Sequence, residues 1–572
     1  MSSPASPPPV VPAAPKPSGP DMGLGMGRAM AAMQVFEKAK KAYAALDEVG
    51  PEGSPEREAA KEALHDSTAN ECLELAKQNG GIYNKATQFV ASLQGGAGDA
   101  GVPKAYIEAL AVLTDKAPFR PFADLDACFV EEFGVSAKDA FAEIDETPIA
   151  AASLAQVHRA VMKDGRVVAV KMQYPWLKHT LTSDFAVFSM FGQQIKPGGF
   201  DLSWLVKDFQ VSLTAELDFT GEANNAERCA FELRNRPDAY VPDVVHEFTS
   251  KRVLCTAFVE NMTRCNDLNS LRTAGFDPKR VGSALASISS EMVFVHGHVH
   301  GDPHAGNVYV RERPNASGKQ NASKEKEPQI VLLDHGLYHD LSDESRTEFC
   351  GLVNACVRRD VAGTKKQSVR FAGNELHRFF PLILSPWFVF GSSSLTAADL
   401  KAAARGALPP GVKLADIGKF LVSLHDEGGT NMLGVLHSLG YTKGILNELK
   451  FPERLRLRAF GKYAAIGAAV GVGDDVMKAK ARAGGVTGSG RNDGAVTSVS
   501  YSLTAQIAIV LAAARVEVLS WFVLVLAPLA PFLFILPGSV WTASSAVAMP
   551  VYALAFASLA FARVTEHPEL AM

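Results

Sequence analysis

His300-Gly301-Asp302-Pro303-His304-Ala305-Gly306-Asn307 sets a carboxylate and a carboxamide five residues apart in one short, turn-rich segment. Pro303 fixes a backbone angle and Gly306 permits a tight turn, so a rigid loop is expected. Such a loop can present Asp302 as a base and Asn307 as an oxygen ligand for a hard metal ion, both to one reacting group. Taken alone, the segment is equally an ordinary Asp/Asn turn. A third reading starts from the histidines. His296, His298, His300 and His304 fall within nine residues, and His-x-His pairs ligate zinc in metal-dependent hydrolases. The flanking sequence decides among the three.

Downstream, Gln329-Ile330-Val331-Leu332-Leu333 reads as a strand that runs into Asp334-His335-Gly336. Upstream, Arg166 to Lys171 is a β-branched strand entered through the turn Asp164-Gly165, with Gln156–Val161 as its hairpin partner. Lys171 ends Val168-Ala169-Val170-Lys171, much like the Val-Ala-Ile-Lys strand of protein kinases. Asp302 and Asn307 keep the separation of the kinase catalytic loop, and Asp334 stands where the Asp-Phe-Gly carboxylate stands. Phosphoryl chemistry from ATP needs a cation on the phosphates, oxygen ligands on magnesium and a carboxylate facing the acceptor. All three occur here in kinase order. The zinc reading leaves that order as coincidence, so the histidines are expected to be mostly scaffold. The polar stretch 311–328 reads as an insertion at a hairpin tip, which lengthens the interval from Asn307 to Asp334.

The rest of the chain frames this core. At 572 residues it is too long for one compact domain. Apolar residues form 47% and charged residues 21%, enough for a sizeable core. The net charge of −4 gives no argument for a nucleic-acid partner, and none is expected. Seven scattered cysteines with no Cys-x-x-Cys argue against a disulfide framework and for a reducing compartment.

Residues 1–28 read as a disordered Pro-rich tail and 29–125 as a helical extension, with helices over 30–48 and 55–78. Residues 126–345 carry the mixed α/β core, with a helix over 203–236. Residues 346–482 read as mostly helical, and 483–500 as a Gly/Ser/Thr-rich linker. Within 505–563, Val518–Leu536 is an uncharged run of 19 residues and Val540–Ala562 one of 23. Roughly 20 apolar residues span a bilayer, so a transmembrane hairpin is expected there, with a buried helical hairpin as the alternative. Lys478, Lys480, Arg482 and Arg491 precede the first run and place the core on the cytoplasmic, matrix or stromal side.

Four stretches together resemble the UbiB family of atypical kinases, also called aarF-domain or coenzyme-Q-type kinase-like proteins. Pro148 to His158, with Ala150-Ala151-Ala152-Ser153, is similar to the family's alanine-rich nucleotide loop. Glu216-Leu217-Asp218-Phe219 followed by Glu222 is similar to its Glu-x-Asp motif and helix glutamate. His300 to Asn307 is similar to His-Gly-Asp-Pro-His-Pro-Gly-Asn. Asn79 to Gln88 is similar to the segment leading into Lys-x-Gly-Gln, with Thr87 in the place of the glycine.

The resemblance implies an α+β, two-lobed protein-kinase-like fold, with a family-specific N-terminal helical extension and C-terminal apolar helices. It implies ATP (or ADP) and Mg2+ as cofactors. Lys171 and Glu222 would pair beside the catalytic Asp302. Asn307 and Asp334 would bind the metal. Ala150, Ala151, Ala152, Ser153 and Lys171 would line the nucleotide. Lys85, Gln88, Glu216 and Asp218 would form a layer over the site that obstructs a protein substrate. An ATPase or a small-molecule or lipid kinase in isoprenoid-quinone or membrane-lipid metabolism is then expected. A membrane-tethered nucleotide-binding scaffold or lipid-handling chaperone is the alternative. The implied partners are a nucleotide, a membrane or isoprenoid lipid, and a second copy of the chain or lipid-biosynthesis enzymes. The implied location is a mitochondrial or plastid membrane.

Overall fold

The structure is a computed structural model, and it describes residues 22–92 (without 52), 104–110, 120–194 (without 152), 210–314 (without 211, 212 and 215), 326–377, 381, 384–385 and 432–469. Alternating β-branched residues build the first lobe. Strands β3 (Ala155–Val161) and β4 (Val167–Gln173) form the expected hairpin, closed by Asp164-Gly165, with Gly165 at φ 89°. β1 (Glu143–Ile144), β3, β4 and β6 (Val253–Ala257) run in that order as one antiparallel sheet, and β2 (Ala150–Ala151) folds back on β3. Its buried face carries Val168, Val170 and Met172, covered by Phe122, Leu125 and Phe129 of the Phe122–Phe133 helix.

The second lobe is built on Pro278–Glu291, Asp343–Val357, Met432–Glu448 and Glu453–Ala469, four helices around two apolar clusters. β5 (Ala239–Tyr240), β10 (Pro328–Leu332), β9 (Val308–Glu312) and β7 (Thr263–Arg264) form a small sheet on this lobe. β8 (His298–His300) and β11 (Tyr338–Asp340) make a separate two-strand ribbon. Together these give a two-lobed, protein-kinase-like α+β fold. The extension packs beside it as the helices Met22–Ala44, Pro55–Asn79, Ile82–Ser92 and Lys104–Leu110.

Several expectations are corrected. The boundaries after residues 28, 125 and 345 each fall inside a helix, because composition changes do not coincide with hydrogen-bonded ends. Met22–Arg28 is helical and not part of a tail. The helix expected over 203–236 breaks at Asp218, whose carboxylate accepts from Thr220 N and starts a new helix, Phe219–Glu232. A capping carboxylate satisfies an amide the helix cannot, so it stops one helix and begins another. Residues 1–21, the tip of the 311–328 insertion, the linker and the C-terminal apolar runs lie outside the described residues. No helix among the described residues is long and apolar enough to cross a membrane.

Candidate active site

Lys171 comes from the sheet. In the register Ala150–Val157–Lys171–Leu254, four strands place residues side by side, so these side chains share one face. The alanine loop therefore lies in the same row as Lys171, two strands and roughly 10 Å away. Ser153 is buried, and Ala152 lies outside the described residues.

Glu222 comes from the first turn of the Phe219–Glu232 helix. Its two oxygens accept from Lys171 Nζ at 2.9 and 2.8 Å, and the ammonium lies 4.8 Å over the Phe219 ring. Asp334 Oδ2 stands 3.5 Å from the same nitrogen. Burial works against the Lys171 charge, but Asp334 and Glu222 outweigh it and raise the ammonium's pKa. Burial pushes Glu222 up to about 7, against the pull of Lys171. Burial also opposes the Asp334 charge, yet Lys171 and Lys85 hold that carboxyl well below the usual range.

Asp334 has φ 55°, a left-handed backbone that costs a non-glycine residue about 1 kcal/mol or more. The turn aims its carboxylate into the cleft, where it is 44% exposed. Gly336 sits at the joint: a Cβ there would lie 3.3 Å from Asp334 Oδ1 and 3.7 Å from Glu222 Oε2.

Facing this wall is the loop 301–307. Asn307 Nδ2 donates to Asp302 O at 3.1 Å, so the amide oxygen is the end that could ligate a metal ion. Asn307 O accepts from Leu333 N at 2.9 Å and ties the loop to the residue before Asp334. The histidines are scaffold in geometry. His300 accepts from Asp302 N, and His304 accepts from Gly306 N at 2.9 Å. No group of three metal-ligating side chains occurs among the described residues. One carboxylate and one carboxamide on adjoining segments are hard oxygen donors, a set that suits Mg2+ and keeps positions open for phosphate oxygens.

Lys85 completes the layer. Its Nζ lies 2.9 Å from Glu216 Oε2 and 4.0 Å from Asp302 Oδ2. A sharp turn aims its helix: Gly80 and Gly81 have φ 61° and 54°, and a Cβ on Gly81 would meet Leu177 at 2.9 Å. Arg28 clamps that turn by donating to Asn79 O while paired with buried Asp184 at 2.7 Å. Asp218, expected in the layer, caps the next helix. The Gln88 side chain lies outside the described residues.

Sequence reasoning missed the rest of the Glu222 helix. Asn225 Nδ2 donates to His335 O at 3.0 Å, Arg228 reaches Asp340 at 2.8 Å and Glu232 reaches His298 at 2.8 Å. The intervals of three and four residues put all of them on one helix face. That spacing was the available signal. It also missed Ser438, whose hydroxyl donates to His300 O at 2.6 Å from a helix some 130 residues downstream.

Residues 112–368 match the ABC1 atypical kinase-like domain. The chain is 34% identical over 423 residues to a Dictyostelium discoideum protein called "Probable serine/threonine-protein kinase abkD", covering 73% of this chain and 58% of that one. It is 36% identical over 337 residues to AarF domain-containing protein kinase 1 of Mus musculus, covering 59% and 61%. The chain thus spans about three fifths of the length of these relatives. Among solved structures, a Mycobacterium tuberculosis protein in complex with erythromycin aligns with TM-score 0.40 and 21% identity, covering 69% of this chain and 98% of that one. The Rio2 kinase of Chaetomium thermophilum, as an ADP/Mg2+-phosphoaspartate complex, aligns with TM-score 0.25 and 12% identity, covering 64% and 94%.

Proposed function

Because this chain belongs to the ABC1 (AarF-domain) atypical kinase-like family, we propose that it binds ATP or ADP with Mg2+ and acts as an ATPase or a small-molecule or lipid kinase. The observation that supports this most is the convergence of Lys171, Glu222 and Asp334 within 3.5 Å of one ammonium, opposite Asp302 and Asn307. In this reading Lys171 would hold the α/β-phosphates and Glu222 would hold Lys171. Asp334 and Asn307 would ligate magnesium, and Asp302 would orient the acceptor. Bound magnesium supplies charge neutralisation on the phosphates. The residues supply its position.

The acceptor reading rests on Lys85. Its ammonium covers the Asp302 side, where a peptide hydroxyl would approach. A small-molecule or lipid acceptor, or water, suits that narrowed access better than a protein. The two uncharged C-terminal runs support a membrane or isoprenoid-lipid setting, in a mitochondrion or plastid. The same covering of Asp302 favours a second reading, a membrane-tethered nucleotide-binding scaffold with little catalysis.

One experiment tests both. ATP hydrolysis is measured on the full chain with and without Mg2+, and with and without phospholipid vesicles. Magnesium-dependent hydrolysis that vesicles stimulate is expected. Tight Mg–nucleotide binding without turnover would move the protein to the scaffold reading. Binding of neither nucleotide would sink both.

A further inference from the structure

The helix that presents Glu222 is held at its other end by a buried pair the chemistry above does not use. Glu232 Oε2 accepts from His298 Nδ1 at 2.8 Å, and His298 is fully buried. Burial pushes the imidazole towards its neutral form. Burial is the largest influence and opposes the Glu232 charge, but the hydrogen bond and charge of His298, with His296 and Arg228, together outweigh it and keep the carboxyl below its ordinary range. The other carboxylate oxygen accepts from Arg228 Nε at 3.0 Å, which balances the charge. His298 stacks on Tyr338 with ring centroids 4.1 Å apart, and its Nε2 has no partner among the described residues.

His298 is well placed to transmit force. It opens β8, and β8 feeds directly into the loop 301–307. β8 pairs with β11 in the register His298↔Asp340 and His300↔Tyr338, so the same ribbon fixes the segment that follows Asp334. Glu222 and Glu232 stand ten residues apart on one helix, about 15 Å along its axis. A helix is stiff over that length, so freeing one end lets the other tilt.

We propose that Glu232 and His298 are positioning residues: their hydrogen bond fixes the helix that sets Lys171 against the strand that sets Asp302 and Asn307. The proposal rests on the nucleotide and magnesium reading for its effect on turnover. Its structural half stands without that reading. Placement errors near 1 Å cost on the order of a hundredfold in rate.

The test uses the full chain and two readouts. In MgATP turnover, His298→Phe keeps the volume and the stack on Tyr338 but loses the donor. It is expected to lower kcat on the order of a hundredfold with KM within about threefold. Glu232→Gln keeps an acceptor for Nδ1–H but sets its NH2 against Arg228 Nε, so it is expected to lower kcat by clearly less than His298→Phe does. The double variant Glu232→Ala/His298→Phe should be no slower than the slower single variant, because both remove one link.

In amide hydrogen exchange, Glu232→Ala should speed exchange in residues 300–307. His298→Phe should do so in Phe219–Glu232, with the Pro55–Asn79 helix unchanged. A His298→Phe chain that keeps kcat within twofold overturns the proposal, as do single effects that multiply in the double variant. If His298→Phe fails to fold, Glu232→Ala reports the same link from the helix side. If the wild type neither binds nor turns over MgATP, the functional reading fails. Exchange still decides the pair, because unchanged protection across it in both variants overturns the link.

Discussion

Lys171 and Lys85 occupy matching surroundings. Each ammonium lies within 3 Å of a glutamate and within 4 Å of an aspartate: Glu222 and Asp334 for the first, Glu216 and Asp302 for the second. The two glutamates stand six residues apart, on either side of the Asp218 cap. The two triads meet at Gly336, where a Cβ would touch Asp334, Glu216 and Glu222 within 3.7 Å. The difference lies in what each aspartate faces. Asp334 is 44% exposed to the cleft, whereas Asp302 is 23% exposed with Lys85 beside it. One triad is open to a ligand; the other is already closed on its own carboxylate. In the proposed function, these two similar ion clusters would divide the site into a phosphate side and a covered acceptor side.

The largest break in that division is Asp334→Asn. It keeps shape and removes the anion that the left-handed turn holds in the cleft. Magnesium dependence of nucleotide binding should vanish and turnover should fall on the order of a thousandfold. Titration calorimetry with ADP, with and without Mg2+, reads the first effect. An unchanged magnesium dependence would remove Asp334 from the metal site.

Next come the lysines themselves. Lys171→Met should lower turnover on the order of a hundredfold or more, because Glu222 and Asp334 lose their shared cation. Lys85→Met should leave Mg–nucleotide affinity within about threefold while costing about 2 kcal/mol of stability, since Glu216 is left mostly buried and without its lysine. Calorimetry and chemical unfolding on both variants separate the two. Equal losses of nucleotide affinity would erase the distinction between the triads.

How much of this was legible in the sequence follows from the range of the interactions. The β3–β4 hairpin was readable because alternation and Asp164-Gly165 are local. So was the strand running into Asp334. The loop 301–307 was readable because its carboxylate and its carboxamide lie on one turn. Lys85 was reachable only through family resemblance. Its approach to Asp302 depends on the Gly80-Gly81 turn and on Arg28 meeting Asp184, 156 residues away. Neither leaves a local pattern. The break at Asp218 was missed for the opposite reason. An Asp followed by Phe-Thr-Gly-Glu is a cap signal, but periodicity on both sides masked it.

A smaller effect probes the shared carboxylates by pH. The Glu222 carboxyl is raised to about 7 from an ordinary 4.5, chiefly by burial. The folded state therefore holds this proton more tightly than the unfolded chain. Its contribution to stability is complete below about 4.5 and is lost as pH climbs through about 7. Thermal unfolding from pH 5 to 8 should show wild-type stability declining relative to Glu222→Gln, which has no proton to lose. Parallel profiles would mean that the Lys171 pairing cancels the burial. No such divergence is expected for Lys85→Met, which leaves Glu222 in place.

The smallest effect sharpens the covered side. Thr87 lies on the same helix as Lys85, two residues on, and is buried with its hydroxyl donating to Asn84 O at 2.7 Å. That bond satisfies the hydroxyl within its own helix, so Thr87 makes no demand on the ion cluster. Thr87→Gly removes the side chain and loosens the helix backbone, which costs about 1 kcal/mol. Lys85 is aimed by the Gly80-Gly81 turn and held by Glu216, and neither is touched. Nucleotide affinity should therefore stay within about twofold, with a small loss in unfolding midpoint. A larger change in affinity would show that position 87 itself sets how closely the Lys85 helix covers Asp302. The acceptor side would then be tuned by packing as well as by charge.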